Sequence, residues 1–311
     1  MEYSMSPDGE NFPLPGPEDY EAERKRLERI VPEKKREGFE IVVVMGIGFV
    51  GAAMAAVVAD STDRITGLPR KFVIGMQRPS TRSYWKIPYM NRGISPIRAE
   101  DPSLAEMIER CVKEKGTLIA TFTNEALKFA DVIIVDIQCD YIKESLGDLK
   151  TGRVEMKDLI KSFDIIGENM RQDALVLIET TVAPGTTEYI AHPALKKAFL
   201  KRGILTNPLL AHSYERVMPG REYIRSVKDF WRVCAGVDDA SRERVEKFLH
   251  DVINTDEYPL TVLDRPIESE TAKIVENSFR ATILAFMDEW SLFAERNGVD
   301  LSKVIKAIKV R

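Results

Sequence analysis

Between residues 40 and 60, a β-rich run, three glycines and a helix of small residues follow one another. Glu40–Met45 reads EIVVVM, the hexapeptide Gly46-Ile47-Gly48-Phe49-Val50-Gly51 comes next, and alanines dominate as far as Asp60. In this context the first glycine permits a tight turn, the second lets the backbone approach a pyrophosphate, and the third lets helix and strand pack closely. The helix amino terminus then faces the phosphate charge. The stretch predicts a dinucleotide site with contacts from Gly46, Gly48, Phe49, Val50 and Gly51.

The same stretch has a second interpretation. Residues 41–59 are uncharged and mostly apolar over nearly the length of a membrane span. A buried strand followed by a buried helix has the same composition, and the spacing of the glycines favours that reading. We therefore expect no membrane association.

Composition excludes several other classes of protein. The 311-residue chain has a net charge of −4, so nothing indicates a nucleic-acid partner. Cys111, Cys139 and Cys234 lie far apart without CxxC spacing, which argues against a disulfide framework or a metal site and indicates a reducing compartment, the cytoplasm. The amino terminus lacks the basic and apolar regions of a signal peptide.

Strand and helix patterns alternate from residue 39 onward. This alternation predicts βαβ units and an α/β fold of the Rossmann type, a doubly wound parallel sheet followed by a long central helix. The predicted strands are 40–45, 71–77, 117–121, 132–137, 174–179, near 204–206, 231–236 and 260–263. The predicted helices are 49–60, 103–115, 124–130, 156–170, 187–202, 240–252, 266–297 and 300–309.

Three regions follow from this pattern. Residues 1–38 are proline-rich and then heavily charged, which predicts a loose, solvated arm with one exposed helix near 17–30. Residues 39–264 form the predicted dinucleotide-binding domain. Residues 265–311 form a helical connector, whose many apolar residues fit either a homodimer interface or packing within the chain.

The residues at the end of the second predicted strand help to distinguish NAD from NADP as the cofactor. NAD sites usually place Asp or Glu there to bind the ribose hydroxyls, whereas this chain has Gln77 followed by Arg78. Gln77 can still hydrogen-bond a hydroxyl, and Arg78 suits the 2′-phosphate of NADP. Both are predicted cofactor contacts, and NADP stays open beside NAD.

Four further motifs make the function more specific. They are ADVIIV at 130–135, ETTVAPGTT at 179–187, ERVMPG at 215–220 and KIVEN at 273–277. Together with the glycine motif, their order resembles the UDP-glucose/GDP-mannose dehydrogenase family from about residue 39 to the end. The ERVMPG loop looks most like the members that oxidise UDP-N-acetyl-hexosamines, UDP-N-acetylmannosamine among them.

The resemblance implies a two-step, NAD-dependent oxidation of a sugar C6 alcohol to a carboxylate. In that chemistry a cysteine traps the aldehyde, a lysine and an asparagine stabilise the oxyanion, and a glutamate orients or deprotonates water. By resemblance, Lys273 and Asn277 are the oxyanion pair, and their i, i+4 spacing puts them on one helix face. Glu179, at a strand end, matches the glutamate, and Thr181 matches a cofactor contact.

The resemblance also implies a UDP-sugar partner. The loop that lies along the substrate sugar in the family corresponds here to Glu215, Arg216, Val217, Met218, Pro219 and Gly220. Arg216 and Arg221 suit the diphosphate or the sugar ring, although exposed arginines are commonly just solvated.

The chain departs from the family in three places. Gln138-Cys139-Asp140 replaces the usual Pro-Thr-Pro, so Cys139 takes the threonine's place in the cofactor half, as a buried or half-buried thiol rather than the nucleophile. Tyr214 replaces a proline. The family's nucleophilic cysteine lies beyond the long helix, and residue 311 precedes that position. We therefore expect this chain alone to bind dinucleotide without completing the four-electron oxidation.

Two alternatives stay open at this point. A β-hydroxyacid or 6-phosphogluconate-type dehydrogenase also has a Rossmann domain, a long helix and a Lys-xxx-Asn pair, and needs no cysteine. The ETTVAPGTT and ERVMPG stretches argue against it. A non-catalytic dinucleotide-binding module is compatible with the missing nucleophile.

Overall fold

The computed structural model describes residues 2–143, 145, 152–218 and 220–309. They form two compact units, residues 1–270 and 271–311. The strands in the described residues are β1 (Tyr3–Met5), β2 (Asn11–Pro13), β3 (Glu40–Met45), β4 (Lys71–Met76), β5 (Leu118–Thr121), β6 (Val132–Val135), β7 (Asp140–Ile142), β8 (Arg153–Glu155), β9 (Leu175–Ile178), β10 (Leu209–His212), β11 (Val233–Gly236) and β12 (Thr261–Val262). The α-helices there are α1 (Pro17–Arg36), α2 (Phe49–Asp60), α3 (Lys86–Asn91), α4 (Ser103–Lys113), α5 (Lys157–Asn169), α6 (His192–Lys201), α7 (Tyr223–Lys228), α8 (Asp239–Val252), α9 (Pro266–Asn297) and α10 (Leu301–Ile308).

Eight strands form the central sheet of the first unit, in the order β12-β11-β10-β9-β6-β3-β4-β5. Neighbouring strands are parallel except β10 and β11, which are antiparallel. The predicted doubly wound α/β sheet is confirmed, with one antiparallel pair that the prediction of a parallel sheet did not include. From β3 the chain adds β4 and β5 on one side of the sheet, and it then crosses over to add β6 and β9 on the other side. The carboxyl ends of β3 and β6 therefore border the crevice where such sheets bind ligands.

Apolar side chains cover both faces of the sheet. Val42 and Val44 pack with α2, α4 and α8 on one face, whereas Ile41 and Val43 pack with α5 and α6 on the other. Successive strand residues point to opposite faces, so a strand covered on both sides is apolar throughout. Residues 41–59 are thus a buried strand and helix, as predicted. Among the described residues, no helix combines the length and apolar character that a membrane span requires.

The amino-terminal segment is packed rather than loose. α1 extends to Arg36, beyond the predicted end, and its Leu27 and Val31 side chains are fully buried in the core. Ahead of it, β1 and β2 pair as an antiparallel hairpin. The expectation of a solvated arm was wrong because Leu27 and Val31, four residues apart, form a narrow apolar stripe on a helix whose other faces are charged.

One predicted strand is misplaced. Residues 204–206 form no strand, and β10 begins at Leu209, directly after Pro208. It pairs with β9 in a register that runs from Leu209 and Leu175 to His212 and Ile178. Pairing with β9 therefore places this strand at residues 209–212 rather than at 204–206. Helices α3 and α7 and the strand pairs β1–β2 and β7–β8 were not predicted.

The second unit contains α10 and most of α9. α9 spans residues 266–297 as predicted, and Gly298 follows it with a φ of 65°, which glycine adopts without strain. α10 begins after Asp300, whose side chain accepts a hydrogen bond from the Lys303 N–H. The functional division of the chain at residues 38 and 264 stays a prediction.

Candidate active site

Two glycines shape the loop between β3 and α2 because a side chain at either position would collide with backbone. Gly46 has a φ of 99°, and a β-carbon there would lie 2.6 Å from the Asp136 carbonyl oxygen. A β-carbon at Gly51 would lie 1.8 Å from the Gly46 carbonyl oxygen. A β-carbon at Gly48 would meet nothing within 4 Å. The backbone at Gly48 therefore leaves the open cradle that a pyrophosphate requires.

The amino terminus of α2 faces this cradle. Gly48 directly precedes the helix, no side chain caps it, and the first turn has no acidic residue. The N–H groups and the positive end of the helix dipole therefore suit an anion. Phe49 and Val50 are the first two helical residues, and the Phe49 ring stacks on Tyr223 with a centroid distance of 4.6 Å.

Gln77 and Lys86 adjoin the glycine loop. The Gln77 Oε1 accepts a hydrogen bond from the Ile47 N–H at 3.1 Å, and the Lys86 ammonium donates to the Ile47 carbonyl at 3.5 Å. Burial lowers the pKa of Lys86. Arg78 is 72% exposed, with its guanidinium 3.7 Å from the Asp158 carboxylate. Lys86 was missed in the sequence because α3 carries no recognised motif.

Two further predicted cofactor contacts lie in loops that follow adjacent strands. Cys139, after β6, is a half-buried thiol as expected, with its Sγ 3.9 Å from the Glu155 carbonyl oxygen. Thr181, after β9, is also half-buried. Both lie at the carboxyl edge of the sheet because β6 and β9 are parallel neighbours. Their contact with the cofactor stays a prediction.

Glu179 is fully buried directly after β9. Its Oε1 accepts a hydrogen bond from Arg232 Nη2 at 3.1 Å, and Arg232, directly before β11, is only 2% exposed. Burial raises the pKa of Glu179 to about 7, the Arg232 charge and hydrogen bond oppose that rise, and the negative charge of Glu215 adds to it. A carboxyl group of this kind exchanges protons near neutral pH, as general acid–base chemistry requires. Arg232 was not predicted from the sequence.

Asp136 is a second carboxyl group in the same place. It follows β6, and the register of β6 with β9 puts it beside Glu179. A β-carbon at Gly51 would lie 3.2 Å from the Asp136 β-carbon, so this side chain lies under the start of α2. Burial and the negative charges of Glu179 and Glu215 raise the pKa of Asp136 well above its ordinary value, although the Arg232 charge opposes the rise. Asp136 lies within the predicted strand 132–137 and was not predicted as a site residue.

Hydrogen bonds within the first unit order the loop predicted to lie along the substrate. The Glu215 carboxylate accepts a hydrogen bond from the Val217 N–H at 2.5 Å. The Met218 N–H donates to the Ser226 hydroxyl at 3.0 Å. Gly220 has a φ of 129°, which other residues rarely adopt. The loop thus has a defined backbone conformation at both ends.

Arg216 of this loop lies between aromatic rings. Its guanidinium is 5.7 Å from the Tyr214 ring centre and 5.2 Å from that of Phe230, a cation–π arrangement. Arg216 is therefore held in place rather than simply solvated, whereas Arg221 is exposed. Pro219, another predicted member of the loop, lies outside the described residues. The contact of this loop with a sugar stays a prediction.

The start of α9 anchors the loop that follows β9 and the last residue of β10. The Glu270 carboxylate accepts hydrogen bonds from the Gly185 N–H (2.5 Å), the Thr187 N–H (2.8 Å) and the Thr187 hydroxyl (2.6 Å). The Ser269 hydroxyl lies 2.9 Å from His212 Nδ1. The ETTVAPGTT loop is therefore fixed by one residue, Glu270, more than 80 positions away, which spacing within the motif did not reveal.

Lys273 and Asn277, the predicted oxyanion pair, lie in the second unit. They are one turn apart on α9, as their spacing predicts. Their role at an oxyanion stays a prediction.

Two family models match this chain. Residues 40–254 match the NAD binding domain of the UDP-glucose/GDP-mannose dehydrogenase family, and residues 267–311 match its central domain. NAD is therefore the cofactor, and the open cradle at Gly48 fits its diphosphate.

Among characterised proteins, the chain is similar to dehydrogenases of UDP-sugars. It is 27% identical to the UDP-N-acetyl-D-mannosamine dehydrogenase of Pyrococcus horikoshii, over 85% of this chain and 56% of that protein. It is 26% identical to the UDP-N-acetyl-D-glucosamine 6-dehydrogenase of Pseudomonas aeruginosa, over 86% of this chain and 56% of that protein. The chain thus spans little more than half the length of these relatives.

Solved structures agree with this similarity. The NDP-N-acetyl-D-galactosaminuronic acid dehydrogenase of Methanosarcina mazei has a TM-score of 0.69 and 27% identity, over 89% of this chain and 55% of that one. The UDP-D-ManNAc dehydrogenase of Pyrococcus horikoshii has a TM-score of 0.70 and 25% identity, over 87% of this chain and 58% of that one. Because the NAD-binding model alone matches more than half of the sequence, the chain belongs to the UDP-glucose/GDP-mannose dehydrogenase family.

Proposed function

We propose that this chain is the dinucleotide-binding part of a UDP-sugar 6-dehydrogenase, which oxidises the C6 alcohol of a UDP-N-acetyl-hexosamine to a uronate. The observation that carries the proposal is Glu179, a buried carboxyl group at the sheet edge beside the glycine loop, with a pKa that burial raises to about 7. Bound NAD supplies the hydride acceptor. The names of the relatives, which act on UDP-N-acetyl sugars, support the substrate class.

Four groups of predicted site residues have separate tasks in this proposal. The backbone at Gly48 and the first N–H groups of α2 hold the diphosphate of the dinucleotide. Glu179 orients a water molecule or accepts its proton. The loop of residues 215–220 lies along the sugar, and Lys273 and Asn277 donate hydrogen bonds to the oxyanion. A location in the cytoplasm, predicted from the cysteine pattern, belongs to the same proposal.

The test is NAD reduction by the protein that carries this chain, with UDP-N-acetylmannosamine, UDP-N-acetylglucosamine and UDP-glucose as substrates. We expect the highest turnover with one of the two N-acetylated sugars. Glu179→Gln is expected to lower turnover about 10²–10⁴-fold, because it removes the proton acceptor. NADH affinity is expected to stay unchanged, since Glu179 acts on water rather than on the dinucleotide.

Glu168→Gln, at an exposed position of α5, is the matched control and is expected to retain wild-type turnover. A protein that binds NADH and oxidises none of the three sugars would contradict the proposal. Equal turnover of Glu179→Gln and the wild type would contradict the role of Glu179.

We also propose a homodimer that forms through α9. In the second unit this helix exposes large apolar side chains along one face, with Phe279 65%, Phe286 56% and Trp290 46% exposed. Contiguous apolar surface of this kind marks interaction sites on proteins. Analytical ultracentrifugation is expected to show a dimer at micromolar concentration, and Phe279→Glu together with Phe286→Glu is expected to give a monomer. A monomeric wild type at that concentration would exclude the dimer.

A further inference from the structure

Asp136, Glu179 and the guanidinium group of Arg232 meet under the start of α2, with Glu215 close to both of these carboxyl groups. Asp136 follows β6, Glu179 follows β9, Glu215 lies in the loop after β10, and Arg232 precedes β11. The facing segment of α2, residues 49–59, contains no titratable side chain. Tyr223 of α7 also faces the cluster, and burial together with the charges of Glu215 and Asp136 raises its pKa, so that it stays neutral.

In the part of the chain that the structure describes, Arg232 is the one positive charge that acts on both Asp136 and Glu179. With both Asp136 and Glu179 ionised, the charge of Arg232 would compensate only one of two negative charges whose oxygens are buried. Burial of an unpaired ion costs several kcal/mol, so a buried carboxyl group takes up a proton instead. The cluster therefore holds at least one proton near neutral pH.

The hydrogen bonds indicate which group carries that proton. Glu179 accepts a hydrogen bond from Arg232 Nη2 at 3.1 Å. Both carboxyl oxygens of Asp136 are buried and have no hydrogen-bond partner in the described part of the chain. Donated hydrogen bonds stabilise the ionised form of a carboxyl group, whereas burial without them stabilises the neutral form. The proton therefore belongs to Asp136.

We propose that Arg232 and Asp136 are positioning residues for Glu179. Arg232 holds one oxygen of the Glu179 carboxylate, which leaves Oε2 for a water molecule or a substrate group; Oε2 has no other partner in the part of the chain that the structure describes. Asp136 stays neutral, so that it does not compete with Glu179 for the Arg232 guanidinium. This inference rests on the proposed role of Glu179 in the reaction.

Infrared spectroscopy of the carboxylic-acid C=O band counts the protonated groups. The measurement is made on the alkaline side of neutrality, where exposed carboxyl groups are ionised. Relative to the wild type, Asp136→Asn is expected to lose one protonated carboxyl group per chain. Arg232→Met is expected to gain one, because Glu179 then lacks its cation and takes up a proton. Arg232→Lys keeps the positive charge and is expected to match the wild type.

Differences between variants cancel the bands of other buried acids, such as Glu270. An unfolded Arg232→Met would expose the cluster and reduce the band rather than increase it, so the gain cannot arise from unfolding. If Arg232→Met is unfolded, the other two variants carry the test. A smaller carboxylic-acid band in Asp136→Asn shows that Asp136 holds the proton, and a wild-type band in Arg232→Lys shows that a positive charge at this position keeps Glu179 ionised. An unchanged band in Asp136→Asn, or a band in folded Arg232→Met no larger than that of the wild type, would overturn the proposal.

Turnover with the UDP-sugar separates this inference from the proposed function. Arg232→Met is expected to move the acid limb of the pH profile of kcat to higher pH, because a more tightly held proton must leave Glu179. Arg232→Lys is expected to restore the wild-type profile, which a merely structural defect would not show. If Glu179→Gln leaves turnover unchanged, the proposed function fails. The infrared count of protonated carboxyl groups still tests whether Asp136 is neutral and whether Arg232 keeps Glu179 ionised.

Discussion

Replacement of Gly51 with alanine is expected to lower the free energy of unfolding by about 3 kcal/mol and to abolish measurable NADH binding. The new β-carbon would lie 1.8 Å from the Gly46 carbonyl oxygen and 3.2 Å from the Asp136 β-carbon. Since backbone cannot yield as a flexible side chain can, α2 must move away from β3. The N–H groups that would hold the diphosphate move with it. Urea unfolding and a fluorescence titration with NADH measure the two effects.

Gly48 provides the matched control for Gly51. Its φ of −80° is open to any residue, and a β-carbon there meets nothing within 4 Å. Gly48→Glu is therefore expected to keep the wild-type stability to within about 0.5 kcal/mol. Its side chain would fill the cradle with a negative charge, so NADH affinity is expected to fall at least about 100-fold, or about 2.7 kcal/mol. Unchanged affinity in this variant would remove the basis for the dinucleotide site.

The stability of the chain is expected to fall as pH rises from about 4.5 to about 7, by about 3 kcal/mol from Glu179 alone. Glu179 has a pKa of 4.5 when unfolded, whereas burial raises its pKa to about 7 in the folded protein. The folded state therefore binds this proton more tightly than the unfolded state. The contribution is complete below the unfolded pKa, is lost as pH rises through the folded pKa, and is constant above it. Asp136 acts in the same direction.

Urea unfolding at several pH values across this range measures how the free energy of unfolding changes with pH. Glu179→Gln is expected to make this change smaller. Glu40 does not mask the effect. Burial would raise the pKa of Glu40, but its ion pairs with Lys71 and Arg244 outweigh burial and lower the pKa. Its contribution is therefore complete above its unfolded pKa and changes little over the window. Two results would contradict a buried Glu179 that titrates in this range. One is a free energy of unfolding that rises with pH between about 5 and 7, and the other is the same pH dependence in Glu179→Gln as in the wild type.

Only part of the cluster around Glu179 could be predicted from the sequence. Glu179 itself could be predicted, because a motif marks it and an apolar run places it at a strand end. Arg232, its partner, is 53 positions away along the chain. Asp136 stands in a run of apolar residues that reads as a simple buried strand. Sequence spacing reports neighbours within one strand or helix, whereas these residues meet only because β6, β9 and β11 align at the same edge of the sheet.

The sequence by itself determined the loop between β3 and α2, the alternation of strands and helices, and the extent of α9. Each depends on residues close together in the chain, whose periodicity and turn requirements are local properties. Only the tertiary structure decided that α1 packs into the core, that β11 runs antiparallel to β10, and that Asp136 and Glu179 lie beside the same guanidinium. The reason is physical: burial and electrostatic coupling depend on distance in space, and strand pairing brings together charges that the chain separates by dozens of residues.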